Sequence, residues 1–529
     1  MDVRDGLLFF SSAIGDHIVD TLPAMYTGGI IDGGQEIAME WTYENMVSLT
    51  QYGLPVPSTI MAEYKYPKLH GLYDPFPHQE QIAEFLTLNH RAFCFAGMGT
   101  GKTAAAVWAA DYLMRKGEVN RVLIISTKST LNPAWADTIF GLVTDLCYTV
   151  LVGDRATRKK RAQTDTRYHI INHDGVGTIM PQLIQNRYDL IILDESTAYK
   201  NATTDRWKKV ATLTANAPRL WLLTGSPTPK SPEDAYGQAR LVCSSRVPKY
   251  YTQWRDMVMS QVSEYRYVPR TNSKEIVRQA LQPAIYINKA DVLKCRKHTA
   301  IVYREVDTTS EQNKALEQLI RKQVVAVNDK TVTPVHAASA LTKYMQILLG
   351  AVYADDGTVA EVDSSPRIAE VIAAIEQGRN AGTGDWDAPR GRAIVAVPYR
   401  HVLDVYEKAI SSAGYNVAVI HGGVAGKQRD NIVRKYQHTG EIDVLLCVPD
   451  AIAHGLTLTA ANTFVWCSPL VKPEIFQQAN ERMDRPGQEQ DMVQIRIYAT
   501  PEEKQYYDVM SNREAWQNSL LSMYSNIFQ

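Results

Sequence analysis

Only six cysteines stand in this chain of 529 residues (Cys94, Cys147, Cys243, Cys295, Cys447 and Cys467), and no two of them form a Cys-x-x-Cys pair. That scarcity excludes a disulfide framework and a zinc ribbon, and it fits a reducing compartment. Net charge is nearly absent, at −1. Any grip on a polyanion must therefore come from local basic surfaces and not from a global field. Long apolar runs are missing as well. No stretch approaches the roughly 18 residues a membrane span requires, so no membrane partner is expected. The first residues place Asp2 and Asp5 around the short run Leu7–Phe10, where a secretory signal has a basic start and a longer apolar core. A cytoplasmic location is expected, nucleoid-associated or in the host cytoplasm for a viral source. There is no solenoid repeat and no low-complexity tract.

What is present is an ordinary globular composition, 45% hydrophobic and 21% charged, in a chain long enough for roughly three or four domains. Two blocks alternate short apolar, β-rich runs with amphipathic stretches, the pattern of parallel α/β sheets. The first block holds Arg91–Ala96, Arg121–Ser126, Tyr168–Asn172, Tyr188–Leu193 and Arg219–Leu223. The second holds Arg392–Val397, Tyr415–Ile420, Asp443–Val448, Thr463–Cys467 and Met492–Tyr498. The expected organisation is an N-terminal accessory region over 1–70, a first lobe over 71–240, a helical linker or insertion over 241–390, and a second lobe with C-terminal helices over 391–529. Within the linker, Ser310–Val327 is the clearest predicted helix, with Leu316, Leu319, Ile320 and Val324 on one face. Gln377–Arg392 reads as a loop. Gly28 to Gly34 reads as turns around a short strand.

Ala96-Gly97-Met98-Gly99-Thr100-Gly101-Lys102-Thr103 follows a predicted strand and opens a predicted helix, which is the setting of a P-loop. Glycines let backbone N–H groups curl around phosphate oxygens, and the helix N-terminus adds partial positive charge. Gly97, Gly99, Thr100 and Gly101 form the cradle, Lys102 reaches the β- and γ-phosphates, and Thr103 offers its hydroxyl to Mg²⁺. The strand Leu190–Leu193 ends in Asp194 and Glu195. Asp194 is the expected metal-side acid, and Glu195 the base that orients and deprotonates water. ATP and Mg²⁺ are thus the expected ligands. Arg482 and Arg485, three apart in Gln477–Gln488, share one face if that segment is helical. From there they are expected to neutralise charge developing on the γ-phosphate.

These segments, in order, resemble the superfamily 2 helicases and, within them, the SWI/SNF-type DNA translocases, over roughly residues 75–520. Phe76-Pro77-His78-Gln79 is similar to the opening glutamine motif, and the resemblance implies that Gln79 reads adenine. Val122–Trp135 resembles motif Ia with its downstream tryptophan. Asp194–Asn201 resembles the DEAH-type box, Leu223–Pro227 motif III, and Val448–Asn462 motif V. Ile420–Gly423 with Arg429 resembles the mid-lobe motif, and Gln478–Gln488 has the Q-A-x-x-R-x-x-R-x-G-Q form. Three positions depart from the family pattern. Thr197 replaces the DEAH histidine, His454–Thr457 lacks the Gly-x-Gly-Leu-Asn form, and Val471-Lys472-Pro473 stands where Trp-Asn-Pro is usual.

The resemblance implies two RecA-like parallel-sheet lobes in tandem, with helical insertions and a small N-terminal region. It implies an ATP-dependent translocase moving on duplex or branched DNA as a monomer, alone or beside replication, repair or recombination proteins. The alternatives are a strand-separating or branch-migrating helicase and an ATP-gated DNA-binding protein with little turnover. Small donors at strand ends (Thr127, Lys128 and Ser129, Thr224 and Ser226, and Thr457) are the expected phosphate contacts. The basic run Arg155–Arg161 reads first as a solvated helix start. Trp135 and Trp466 read as core.

Overall fold

The computed structural model describes residues 2–4, 7–11, 26–31, 34–51, 56–68, 74–97, 99–143, 148–225, 227–228, 231–263, 266–288, 292, 299–322, 325–327, 330–332, 337–380, 391–453, 456–469, 473–485 and 488–510. The chain divides into two compact units, Met1–Lys294 and Cys295–Gln529.

The first unit opens with an antiparallel sheet of β1 (Asp2–Arg4), β2 (Leu7–Ser11), β3 (Tyr26–Ile31) and β4 (Gly34–Glu40), ordered β1-β2-β4-β3. Leu8, Phe10, Ile37 and Met39 recur at alternate positions and pack on Met46 and Leu49 of the helix Tyr43–Gln51. Ala38, between Ile37 and Met39, is buried as well. The expected strand near Gly28 is β3, and Ile31 pairs with Gly34 to start β4.

The main sheet of this unit joins β5 (Arg91–Ala96), β6 (Val122–Ser126), β7 (Tyr148–Val150), β8 (Tyr168–Asn172), β9 (Leu190–Asp194) and β10 (Arg219–Thr224). Beyond the hairpin of β11 (Met259–Ser263) and β12 (Arg266–Pro269), β13 (Ala284–Ile287) completes it. The order is β13-β5-β10-β9-β6-β8-β7, and every pairing is parallel. Helices cover both faces, so β6, β8, β9 and β10 are buried along their whole length, as a doubly covered parallel sheet demands.

The second unit repeats the architecture. β14 (Thr299–Glu305) is followed by two small hairpins, β15 (Val325–Val327) with β16 (Lys330–Val332) and β17 (Ala351–Tyr353) with β18 (Val359–Glu361). Then come β19 (Arg392–Ala396), β20 (Val417–Ile420), β21 (Val444–Cys447), β22 (Ala461–Trp466) and β23 (Met492–Tyr498). The six-stranded parallel sheet runs β14-β23-β22-β19-β21-β20. A buried ion pair, Arg367 Nη2 to Glu503 Oε2 at 2.6 Å, ties the helix Ser365–Asn380 to the helix Pro501–Met510. Ser468 Oγ and the Ala499 N–H also donate to Glu503, so the charge is not left bare.

The two parallel α/β lobes are as expected, while several details differ from the sequence reading. Residues 241–390, expected as one insertion, are shared between the units: β13 joins the first sheet and β14 the second. The predicted helix from Ser310 stops at Lys322, and Val325–Val327 is a strand. Leu316 and Leu319 are buried, but Ile320 is 38% exposed; Val324 lies outside the described residues. Residues 377–380 continue the helix Ser365–Asn380 instead of starting a loop, and 381–390 lie outside the described residues. Among the described residues, no helix is long and apolar enough to cross a membrane.

Candidate nucleotide site and track contacts

In the first sheet, β5, β10, β9 and β6 are neighbours and run the same way. Their carboxyl ends therefore lie side by side about 4.8 Å apart. Those ends carry Ala96, Thr224, Asp194 and Ser126, which brings the P-loop, motif III, the acidic box and motif Ia to one edge of one sheet. This edge is where ligands bind in open α/β folds.

The P-loop turns from β5 into the helix Lys102–Arg115, with Gly99 at φ 79° and Gly101 at φ 83°. Side chains rarely adopt that region. A Cβ on Gly101 would also stand 1.9 Å from Gln79 Nε2. Lys102 Nζ donates to the Ala96 and Gly97 carbonyls at 2.8 and 3.3 Å, which places its charge over the loop. Thr103 is half-buried at the second position of the helix.

Gln79 is buried against this loop. Its Nε2 donates to the Thr100 carbonyl at 3.1 Å, and its Oε1 accepts from the Phe76 N–H at 3.0 Å. His78 Nε2 lies 2.8 Å from the same carbonyl, and burial holds its pKa below the usual histidine range. The glutamine motif thus braces the P-loop, and His78 is a partner the sequence reading passed over.

Asp194 is 8% exposed, and its orientation is fixed by three donors. Ser126 Oγ and Trp135 Nε1 donate to Oδ2 at 2.7 and 2.9 Å, and the Glu195 N–H donates to Oδ1 at 3.0 Å. Trp135 is in the core as expected, but its indole N–H has a function that burial alone did not reveal. It sits on a π-turn, Leu131–Ala136, of the kind that tends to mark functional sites. Glu195 holds a left-handed conformation at φ 50°, a strain of about 1–3 kcal/mol for a residue with a side chain. It is half-buried next to Asp194. The donor set, a carboxylate and a threonine hydroxyl near a phosphate cradle, is the hard-oxygen chemistry that suits Mg²⁺.

With threonine at 197, the box reaches motif III by another route. Ser196 Oγ donates to Gln238 Oε1 at 2.7 Å, and Gln238 Nε2 donates to the Pro227 carbonyl at 2.6 Å. Ser196 and Gln238 are fully buried.

In the second unit the helix Pro473–Asn480 ends before the arginines. Arg482 and Arg485 therefore lie in turns, not on a helix face, because the helix stops one residue short of Glu481. They still serve one loop. Arg482 is 2% exposed and donates to the carbonyls of Gln478 and Leu456. Arg485 donates to the Glu481 carbonyl and, at 3.1 Å, to Thr457 Oγ1. Burial pushes the Arg485 guanidinium down to about 10, so it stays charged at neutral pH.

Of the expected phosphate contacts, Lys128 and Thr457 are exposed. Thr224 is 1% exposed at the end of β10, so its side chain is enclosed by protein and not offered to a phosphate. Ser226 lies outside the described residues. In the basic helix Arg155–Ala162, Arg158 donates to the Leu151 and Gly153 carbonyls and Arg161 to those of Val150 and Val152. Two of its charges thus fasten the helix to the sheet edge.

Comparison with known proteins gives the family of the chain. Residues 78–348 match the family model of the SNF2-related domain, and residues 375–487 match that of the helicase conserved C-terminal domain. A Xenopus laevis SWI/SNF-related matrix-associated actin-dependent regulator of chromatin subfamily A-like protein 1 is 23% identical over 80% of this chain and 41% of its own length. The putative protein p41 of Acyrthosiphon pisum secondary endosymbiont phage 1 is 24% identical over 79% of this chain and 90% of its own. The chain thus spans about two fifths of the frog relative and nearly all of the phage one. A solved Sulfolobus solfataricus SWI2/SNF2 ATPase core in complex with dsDNA aligns over 88% of this chain and 96% of that one, at 16% identity and a TM-score of 0.41.

Proposed function

The chain belongs to the SNF2-related domain family, and from that premise we propose that it is an ATP-driven translocase whose track is duplex or branched DNA. The observation that carries this reading is the shared carboxyl edge of β5, β10, β9 and β6, where a phosphate cradle, an acid pair and the motif Ia turn stand on adjacent strands.

In this proposal the backbone of Gly97–Gly101 and Lys102 bind the phosphates of ATP, braced by Gln79 and His78. Thr103 and Asp194 would hold Mg²⁺, which would neutralise phosphate charge. Glu195 takes a proton from the attacking water. Arg485 contributes positive charge to the developing phosphate charge, and Arg482 holds the loop at Leu456 that positions it. The P-loop belongs to the first unit and the arginines to the second. Lys128, Thr127, Ser129 and Thr457 touch DNA phosphates, which positions the motor without reading sequence.

The test is ATP hydrolysis by the purified chain alone and with single-stranded DNA, blunt duplex, branched DNA and RNA, beside Glu195→Gln. Strong stimulation by duplex or branched DNA, absent in the variant, is the expected result. No stimulation by any nucleic acid contradicts the proposal and favours the ATP-gated binding protein.

One observation favours the helicase as a second reading. The β11–β12 hairpin presents Val262 at 61% exposure, and an exposed apolar side chain can wedge between bases. ATP-dependent unwinding of a forked duplex, lost in Val262→Asp, supports that reading; failure to unwind excludes it.

A further inference from the structure

Asp194 does not end its contacts at Ser126. Ser126 Oγ lies 2.6 Å from Thr130 Oγ1, which lies 2.9 Å from Thr127 Oγ1, which in turn lies 3.2 Å from Ser129 Oγ. Asp194, Ser126 and Thr130 are buried, Thr127 and Ser129 are half-buried, and Lys128 between them is exposed. A line of hydroxyls thus runs from an enclosed carboxylate to a surface turn.

The proton directions along this line are constrained. A carboxylate only accepts, so Ser126 spends its single proton on Asp194 and can only accept from Thr130. Thr130 has one proton and three acceptors in reach: Ser126 Oγ, Thr127 Oγ1 and, at 2.9 Å, the Thr127 carbonyl. When Thr130 donates to Ser126, it polarises that hydroxyl and strengthens its bond to Asp194. A phosphate oxygen at the turn takes the proton of Thr127, leaving Thr127 Oγ1 an acceptor that competes for the proton of Thr130. The other side chain that donates to Asp194 Oδ2 hangs from the same residue, because the backbone N–H of Trp135, and not its indole, donates to the Thr130 carbonyl at 3.2 Å across the π-turn. Pro133, inside that turn, has no N–H with which to tighten it.

We propose that Thr130 is a positioning residue that couples a nucleic-acid phosphate at the Thr127–Ser129 turn to the carboxylate of Asp194, through Ser126 by its side chain and through Trp135 by its backbone. The inference rests on the proposed reading of the chain as a DNA-stimulated ATPase. With the turn unoccupied, both donors withdraw charge from Oδ2. With a phosphate bound, the hold of Ser126 loosens and more of the charge of Asp194 is available to the metal.

The experiment compares Thr130→Val, which keeps the shape and loses the hydroxyl, with Thr130→Ser, which keeps the hydroxyl. Hydrolysis by the full chain is measured with and without saturating duplex, and duplex binding is measured separately by fluorescence anisotropy. In Thr130→Val the ratio of stimulated to basal turnover falls about five- to tenfold, the effect of one hydrogen bond, while the duplex concentration for half-stimulation stays within about twofold. Thr130→Ser restores the ratio. Ser126→Ala breaks the line one link nearer the carboxylate and also lowers the ratio, which keeps the test decisive if Thr130→Val folds poorly. Full stimulation in both Thr130→Val and Ser126→Ala overturns the inference, as does a Thr130→Ser protein as impaired as Thr130→Val. Loss of stimulation that only tracks loss of duplex binding overturns it too. A wild-type chain that duplex does not stimulate contradicts the proposed function first, and the inference with it.

Discussion

Each unit ties a group expected at the phosphates to a residue expected on the track, but the two ties are built differently. In the first unit the tie from Asp194 outward passes through the buried hydroxyls of Ser126 and Thr130 to half-buried Thr127, and their protons are mutually constrained. In the second it is one direct bond from the Arg485 guanidinium to the exposed Thr457 hydroxyl. A buried neutral chain transmits by which proton goes where, so the loss of any link alters the end group. An exposed bond to a permanent cation transmits little, because water can replace the hydroxyl. The first unit is therefore expected to sense the track, and the second to supply a charge whose arrival depends on the position of its loop.

The largest effect that would sharpen this contrast lies in the arginines. Arg485→Ala is expected to lower kcat by about 10³-fold, the smaller end of the arginine-finger range, with little change in thermal midpoint. Arg482→Ala removes a buried donor and leaves the Leu456 carbonyl without that bond, a stability cost of about 1–3 kcal/mol. Steady-state kinetics beside thermal melts separates the two; a stability loss in Arg485→Ala as large as that in Arg482→Ala would erase the division of roles.

Acid should weaken the first unit next, while burial also lowers His401 in the second. In the first, burial lowers His169 and His173 to about 4. Both are neutral in the folded state while the unfolded chain takes up protons below about 6.5. Stability is therefore unaffected above that pH and falls as pH drops toward 4, by up to about 3 kcal/mol for each histidine. Hydrogen exchange between pH 7.5 and 5 is expected to show the first unit opening more readily as pH falls, with the slope reduced in His173→Gln. An unchanged slope in that variant would exclude His173 as a cause.

The smallest effects test the ties themselves. Trp135→Phe removes one of the two side-chain donors to Asp194 Oδ2 and is expected to change the Mg²⁺ concentration for half-maximal turnover by about five- to tenfold. Thr457→Val, at the exposed tie, should change turnover by no more than about threefold. The reverse ranking in a Mg²⁺ titration would break the comparison.

Much of this could be read in advance from composition along the chain. Runs such as Val122–Ile125 and Leu190–Leu193 are apolar throughout because both faces of the sheet are covered, and they stood out for that reason. The edge strands β13 and β14 escaped because they are half-exposed and mix Tyr286, Arg304 and Glu305 with apolar residues. The P-loop and the acid pair were legible because their spacing is local. The partners of Asp194 were not, since Ser126 and Trp135 meet a residue 68 and 59 positions away, and burial of a tryptophan does not say what its N–H bonds. The turn carrying Arg482 and Arg485 could not be told from a helix in advance, because an i, i+3 spacing fits either.

The most direct test of the central claim, that hydrolysis moves this chain along duplex DNA, is displacement of a third strand from a DNA triplex. The account predicts release by the wild-type chain with ATP and Mg²⁺, and none by Glu195→Gln or with a non-hydrolysable nucleotide. Hydrolysis stimulated by duplex with the third strand left in place would contradict translocation.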